Sequence, residues 1–346
     1  MSGRHNLPFF IPHEGCPHRC SFCDQNAISG AQRGPSPREV AERCDALLPA
    51  PGAGGQFEIA FFGGSFTAIA REQMVALLEA AFPFVQAGRA AGIRISTRPD
   101  AIDNEILDLL AAYRVTAIEL GAQSMDDRVL AANGRGHIAQ QTRAAAASIR
   151  ARGFSLGLQM MVGLPGEKDP VRAAAENAAA LAALCPDTMR IYPVLVLCNT
   201  PLEVMTRKGS YRPLTVEQAV RASAPLLEYF EQKGIRVIRV GLQDDGALRR
   251  HLIAGPYHPA FRQCCESFLF RRRMGNVLQG VLPGDYRLLV APGRISDAVG
   301  QRRENLRAFA QRGYRLTITD SCALTGREVR LYGTRQREEC EATTCF

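Results

Sequence analysis

The chain has no tryptophan among its 346 residues and only three lysines, Lys168, Lys208 and Lys233, among 42 basic side chains. No apolar run approaches the roughly 20 residues of a bilayer-spanning helix, so no membrane span is expected. The opening segment MSGRHNLPFF lacks the charged and apolar regions of a signal peptide, so a cytoplasmic, reducing setting is expected. Neither an internal repeat nor a low-complexity linker is present. With 46% hydrophobic and 22% charged residues, the composition is that of a globular protein rather than a disordered or collagenous one. Cysteine is not scarce. There are 11, an odd number, so complete pairing within one chain is impossible. In a reducing setting they read as metal-binding thiolates among ordinary buried thiols, not as a disulfide scaffold.

The length exceeds what one compact core supports, which predicts a large domain and a smaller one, 1–240 and 241–346. Residues 1–240 carry 25 basic and 23 acidic side chains, and residues 241–346 carry 17 and 11. Arginine presents a planar fork suited to phosphate or carboxylate. The basic second region therefore fits a polyanion partner, although a solvated surface rich in arginine accounts for the charge equally well.

Strand-like runs at 7–12, 57–62, 93–97, 116–123, 154–162 and 188–196 alternate with helical patterns near 71–89, 103–112, 138–152 and 170–184. A further helix near 215–233 precedes a strand at 235–240. Six strand–helix units in succession predict a parallel sheet with crossover helices: a full or partial barrel, or a doubly wound sheet. Period-two alternation puts Arg94, Ser96 and Arg98 on one face. It does the same for Glu119, Gly121 and Gln123, for Ser155, Gly157 and Gln159, and for Arg190 and Tyr192. A closed barrel interior is filled with aliphatic side chains. Polar stripes on four strands imply instead an open interior holding a polar ligand, or internal ion pairing such as Arg94 with Glu119. After residue 240, strand-like 286–291, a basic helix near 299–312, and strand-like 314–319 and 328–332 suggest a small α+β domain.

Just after the first strand comes Cys16-Pro-His-Arg-Cys20-Ser-Phe-Cys23. Three thiolates in eight residues can wrap one soft metal centre. On a four-iron cluster they leave one iron open to a small molecule, as catalytic metal sites keep one position free. Zinc with a distant fourth ligand remains open on spacing alone. Polar motifs then follow the ends of successive strands, where parallel α/β folds place their sites. They include Phe62-Gly63-Gly64-Ser65-Phe66-Thr67, whose glycines let a ligand approach bare backbone.

This C-x3-C-x2-C loop followed by a Gly-Gly segment resembles the radical S-adenosylmethionine (SAM) enzymes. The stretches Ser96–Asp100, Glu119–Ser124, Asn133–His137, Met160–Gly166, Arg190–Pro193 and Asn199–Leu202, with Gly209–Tyr211, are similar to the Elongator catalytic-subunit branch. The resemblance spans about residues 7–262. It implies a partial (β/α)6 TIM-type barrel, here with a small C-terminal α+β domain. It also implies that Cys16, Cys20 and Cys23 ligate a [4Fe–4S] cluster whose free iron binds SAM. By the same resemblance Gly63 and Gly64 receive the methionyl amino group, and Phe22 lies near the adenine. The resemblance also puts Ser96 where relatives carry an acidic ligand to the SAM ribose, and Gln123, Arg135 and Gln159 at positions lining the SAM or substrate cavity. Gln123, Arg135 and Tyr192 are the candidate catalytic residues. The implied reaction is reductive cleavage of SAM to methionine and a 5′-deoxyadenosyl radical. Its electron comes from an external donor such as flavodoxin or ferredoxin.

The chain departs from the Elongator catalytic subunit in the spacing of its first two cluster cysteines. Only six residues precede its first strand. Its nearest acetyl-CoA loop, Arg272-Arg-Met-Gly275-Asn-Val277, lacks the final small residue. Acetyl-CoA chemistry is therefore not expected, and a tRNA or other RNA substrate is. The alternatives are a tetrapyrrole or other small molecule as substrate, a haem-binding protein, and a non-catalytic iron–sulfur carrier. Cys322, Cys340 and Cys345 are candidates for a second metal site. His13-Glu14 is expected either to tune the cluster or to position its loop.

Overall fold

A computed structural model describes residues 5–16, 19–242 and 246–332. The described residues up to Pro259, less Ser223–Pro225, form one compact unit. Ser223–Pro225 and the residues from Ala260 onward form a second.

In the first unit the strands are β1 (His5–Ile11), β2 (Phe57–Gly63), β3 (Gly92–Thr97), β4 (Val115–Gln123), β5 (Ser155–Val162), β6 (Thr188–Pro193), β7 (Val196–Leu197), β8 (Arg236–Val240) and β9 (Leu252–Ala254). Seven of them form one sheet in the order β1-β2-β3-β4-β5-β6-β8, each pair parallel. Strand order equal to chain order, with crossover helices between, is the partial TIM-type barrel. The run expected at 188–196 divides. Its first part stays in the barrel, and Val196–Leu197 leaves it to pair antiparallel with β9.

Local chemistry sets the helix boundaries. Ser36 and Glu39 form a reciprocal capping box at the start of Pro37–Leu47. Asp169 caps Pro170–Ala182, with Pro170 in the first turn where no N–H partner is needed. Alternate strand residues such as Ile59, Phe61, Ile93, Ile95, Ile118, Leu120, Leu156 and Leu158 are all but fully buried. They make one face of the sheet apolar throughout. The opposite parity carries the polar stripe.

That stripe is part ion-pair network, part open surface. Arg94 bonds Glu58 on β2 through Nε (2.9 Å) and Glu119 on β4 through a terminal nitrogen (3.1 Å). Arg190 on β6 reaches Glu119 at 2.6 Å and donates to the Tyr192 hydroxyl at 3.3 Å. Internal pairing thus accounts for the charged residues. Ser96, Gly121, Gln159 and Tyr192 stay half-buried toward the carboxyl ends of their strands. Arg98 lies just beyond β3, at the start of the short 3-10 helix Pro99–Ala101, with extended backbone.

In the second unit the strands are β10 (Gly284–Val290), β11 (Tyr314–Asp320) and β12 (Val329–Tyr332). They form a sheet in the order β11-β10-β12, the first pair parallel and the second antiparallel. The helix Phe261–Val277 was not legible in the sequence. Its adjacent cysteines and its Arg271–Arg273 run mask the apolar stripe of Phe261, Cys265, Leu269, Phe270 and Met274. The basic helix expected near 299–312 is two segments, Ile295–Val299 and Glu304–Ala310. The break lies at Gly300 (φ 77°) and at Arg302 and Arg303, both with positive φ. No helix of the described residues is long and apolar enough to cross a membrane.

Candidate metal and cofactor site

The cysteine loop leaves the carboxyl end of β1 and is held on several sides. The Ser21 N–H donates to the Asn133 carbonyl at 3.0 Å, and its hydroxyl donates to Asn133 Oδ1 at 2.6 Å. Asn133 Nδ2 in turn donates to the carbonyls of Val129 and Pro165. The Ser21 carbonyl accepts from the Leu202 N–H at 2.9 Å. A residue between the second and third cysteines is thereby tied to the segments after β4, β5 and β7.

His13 and Glu14 position this loop. Gln25 and His13 exchange two hydrogen bonds, Gln25 N to His13 Nε2 at 2.9 Å and His13 N to Gln25 Oε1 at 2.5 Å. Glu14 accepts from Gln73 Nε2 at 2.6 Å and from the Gly34 N–H at 3.2 Å.

Backbone crowding explains both glycines of the Gly-Gly pair. Gly63 has φ 94°, which disfavours any side chain. A Cβ at Gly64 would lie 2.1 Å from the Glu14 carbonyl oxygen and 2.7 Å from that of Ile11. The Gly64 N–H donates to Ile11 O at 2.7 Å. Glycine here lets the second strand's loop press against the chain leading to Cys16. Gly64→Ala is expected to displace residues 12–16. It lowers iron bound per chain after reconstitution, with an unchanged far-ultraviolet circular dichroism spectrum. A full iron complement in that variant would show that the close approach is not needed.

Cys20 is buried, while Cys16 and Cys23 are half-buried. Burial, and then the neighbouring thiol Cys20, push Cys16 up, and the same causes push Cys23 up to about 12. A thiol with that pKa keeps its proton at neutral pH, so ligation requires a cation to displace it. One positive group already faces the loop. Arg135 donates to Cys20 Sγ at 3.2 Å and to the Gly121 carbonyl at 2.6 Å. Its own carbonyl accepts from Arg98 at 2.6 Å, and Asp100 holds Arg98 in a two-point pair. Burial foremost, with Arg135 adding to it, depresses nearby His137 to about 4, so its imidazole is neutral.

The remaining expected residues fall at the same end of the barrel. Gln159 on β5 donates to Gln123 Oε1 at 3.1 Å. Gln123 ends β4 with φ 63°, where the register to β5 shifts. A Cβ at Gly121 would meet Gln123 Nε2 at 3.0 Å and Arg135 at 3.4 Å, so both side chains lie over bare backbone. A glutamine held in left-handed backbone, with a glycine beneath it, is strain of the kind that collects at functional sites. Phe22 is buried with Cys20, Met161 and Leu164 in an apolar cluster that Tyr192 borders. Ser96 lies at the end of β3 on the same face.

Three free thiols within electrostatic reach of one another, with a cation on one of them, are a donor set that suits a soft metal cluster better than a disulfide. Among the described residues no three His, Cys, Asp or Glu side chains stand close enough to hold a single ion. Exposed Cys322 lies in the second unit, and Cys340 and Cys345 lie outside the described residues. Two participants were missed in the sequence. Glu58, which completes the Arg94 network, was signalled only by one charge in an otherwise apolar strand. The anchoring role of Asn133 had no signal beyond its place in the Asn133–His137 motif.

Glu167 follows the Met160–Gly166 motif and accepts from the Gly163 N–H at 2.9 Å, while burial pushes its carboxyl up to about 7. Its folded pKa exceeds the unfolded value. Its contribution is therefore fully present below the unfolded pKa and lost as pH rises through the folded one. Between about pH 5 and pH 8 the thermal midpoint of the unsubstituted chain is expected to fall relative to Glu167→Gln. Parallel midpoint curves would contradict this.

Residues 10–177 match the radical SAM superfamily, and residues 186–271 match the radical SAM C-terminal domain. An uncharacterized protein of Methanocaldococcus jannaschii is 29% identical over 226 residues, covering 62% of this chain and 69% of that protein. The tRNA uridine(34) acetyltransferase of Dehalococcoides mccartyi is 32% identical over 128 residues, 36% of this chain and 28% of that protein. The haem chaperone HemW of Mycobacterium tuberculosis is 29% identical over 203 residues, 56% of this chain and 51% of that protein. The chain thus spans only part of these named relatives. Among solved structures, archaeal Methanocaldococcus infernus Elp3 with an N-terminal deletion superposes with a TM-score of 0.62 at 20% identity. The superposition covers 82% of this chain and 69% of that one. With both family regions matched in order along a parallel partial barrel, the chain belongs to the radical SAM superfamily, where it resembles the Elongator catalytic-subunit branch.

Proposed function

We propose that this chain is a radical SAM enzyme that modifies RNA, and that the RNA is a tRNA. The observation that carries the enzymatic reading is the Cys16–Cys23 loop, held at the barrel's carboxyl end with Arg135 on Cys20 Sγ. Cys16, Cys20 and Cys23 would hold a [4Fe–4S] cluster on three of its irons. Gly63 and Gly64 would offer backbone to the methionyl end of SAM. When bound, these groups supply a 5′-deoxyadenosyl radical, given an electron from a donor such as flavodoxin or ferredoxin.

The protein's share is positioning. Arg98 and Asp100 hold Arg135 over the loop, and Gln159 orients Gln123 beside it. Phe22, Met161 and Leu164 wall the loop with apolar surface. The RNA assignment rests on similarity to tRNA uridine(34) acetyltransferases and on the basic balance of residues 241–346. Acetyl transfer is not proposed, because the chain spans only about a quarter of those proteins.

The test is anaerobic. A reconstituted chain with reductant and SAM should release 5′-deoxyadenosine. Absence of that product from a fully loaded cluster, with a control radical SAM enzyme active, would sink the enzymatic claim. Nucleosides from the tRNA of cells with and without the gene should differ in one modified species, and identical profiles would remove the tRNA assignment. The longer match to a haem chaperone supports a second reading, action on or carriage of a tetrapyrrole. A saturable haem absorption band on titration would favour it.

A further inference from the structure

The sheet of the second unit has two unlike faces. On one parity Tyr286, Leu288, Val290 and Leu316 join a core that includes Phe270 and Met274 of the helix Phe261–Val277. The helical layer therefore covers that side. On the other parity Arg287, Arg315, Thr317 and Arg330 are exposed, and Tyr332 is half-buried. The register makes them neighbours. Arg287 stands opposite Thr317 on β11 and opposite Tyr332 on β12, while Arg315 stands opposite Asp285.

From this face, resting on the reading that the substrate is RNA, we infer that the outward side of β11-β10-β12 binds a single-stranded segment of it. Three features carry the inference. Arg315 is paired in a fork with Asp285, whereas Arg287 and Arg330 have no carboxylate partner among the described residues. Among the described residues the face is thus a cationic strip with one internal counter-charge, complementary to a phosphate chain. Second, the Arg287 guanidinium lies over the Tyr332 ring, 5.6 Å from its centroid. A cation seated on an aromatic ring makes a flat platform of the kind on which bases stack in a sequence-tolerant way. Third, Arg287, Arg315 and Arg330 are exposed among the described residues, and Thr317 adds an exposed hydroxyl beside them. Aromatic and basic residues presented on a sheet are suited to splayed-out bases rather than to a duplex groove. A surface that merely kept the domain soluble would intersperse both signs of charge.

The experiment uses the full chain and a fluorescent oligouridylate of about 12 nucleotides. Its affinity is measured by anisotropy across a series of salt concentrations. In the triple variant Arg287→Gln, Arg315→Gln, Arg330→Gln, binding should weaken at least about tenfold. The slope of log affinity against log salt should become shallower by about 2, since each phosphate contact on a single strand contributes about 0.7. Tyr332→Leu should lose about fivefold or more with an unchanged slope, because stacking releases no counterions. Arg271→Gln, on the helical side, should bind as the unsubstituted chain does. If that chain binds the oligonucleotide but the triple variant matches it in affinity and slope, this surface is overturned and the RNA reading stands. If the unsubstituted chain shows no salt-dependent RNA binding, the RNA reading fails and this inference falls with it.

Discussion

Cys20→Ala abolishes iron–sulfur loading: after anaerobic reconstitution the variant should carry no four-iron absorption or paramagnetic signal, while the unsubstituted chain does. Cys20 is the buried member of the three thiols, and Arg135 addresses its sulfur at 3.2 Å. A four-iron cluster with only three protein ligands already leaves one iron open. Losing another ligand leaves Cys16 and Cys23, whose raised pKa values already work against thiolate formation. The neighbouring structure should persist. Ser21 remains bonded to Asn133 and Leu202, and alanine at position 20 keeps an apolar group in its cluster. A normal four-iron spectrum in Cys20→Ala would refute the ligand assignment.

Glu119→Ala should be the most destabilising single change in the barrel, costing about 3–5 kcal/mol in denaturant unfolding. Glu119 is buried and serves two arginines. It meets Arg94 at 3.1 Å and Arg190 at 2.6 Å. Arg190 is largely shielded from water, so removing the shared carboxylate leaves its guanidinium charge without a carboxylate partner. Arg94 keeps Glu58, but among the described residues Arg190 keeps the Tyr192 hydroxyl and its place over the Phe62 ring and no carboxylate. Tyr192 should therefore lose its orientation in the same variant. The exposed fork between Arg33 and Glu39 is the control. Water already solvates both partners there, and Arg33→Ala should leave the midpoint almost unchanged. A Glu119→Ala midpoint within error of the unsubstituted chain would show that the network is not what holds strands β2, β3, β4 and β6 in register.

Much of the barrel was legible, because each strand–helix unit carries its own local signals. Asp169 with Pro170 marks a helix start, and Gly153, with φ 78°, marks the turn after the helix Ala139–Ala151. The apolar parity of Ile93 and Ile95, or of Leu156 and Leu158, marks a strand buried on one face. Such patterns depend on residues within a few positions of one another. The alternation in β3 also separated Arg94 and Ser96 from their neighbours, though not their fates. Arg94 is closed into an ion pair, while Ser96 is left at the strand end. The helix Phe261–Val277 was missed because its apolar residues show their pattern only against the sheet that covers them. The break at Gly300–Arg303 was missed because nothing local distinguishes an arginine that will adopt positive φ.

The sequence by itself carried the proposed chemistry. Three cysteines within eight residues, followed by Gly63-Gly64 and polar segments at successive strand ends, are local in the chain and point to a soft-metal centre beside a parallel sheet. What only the tertiary structure decided is which groups serve that loop. Arg135 lies 115 residues from Cys20, Asn133 lies 112 residues from Ser21, and Glu58 is joined to Glu119 through Arg94. Contacts across such separations are set by strand order and register, which bring distant positions to one end of the barrel. A side chain's type shows what it can bond, but only the packed fold shows which partner is within three ångströms.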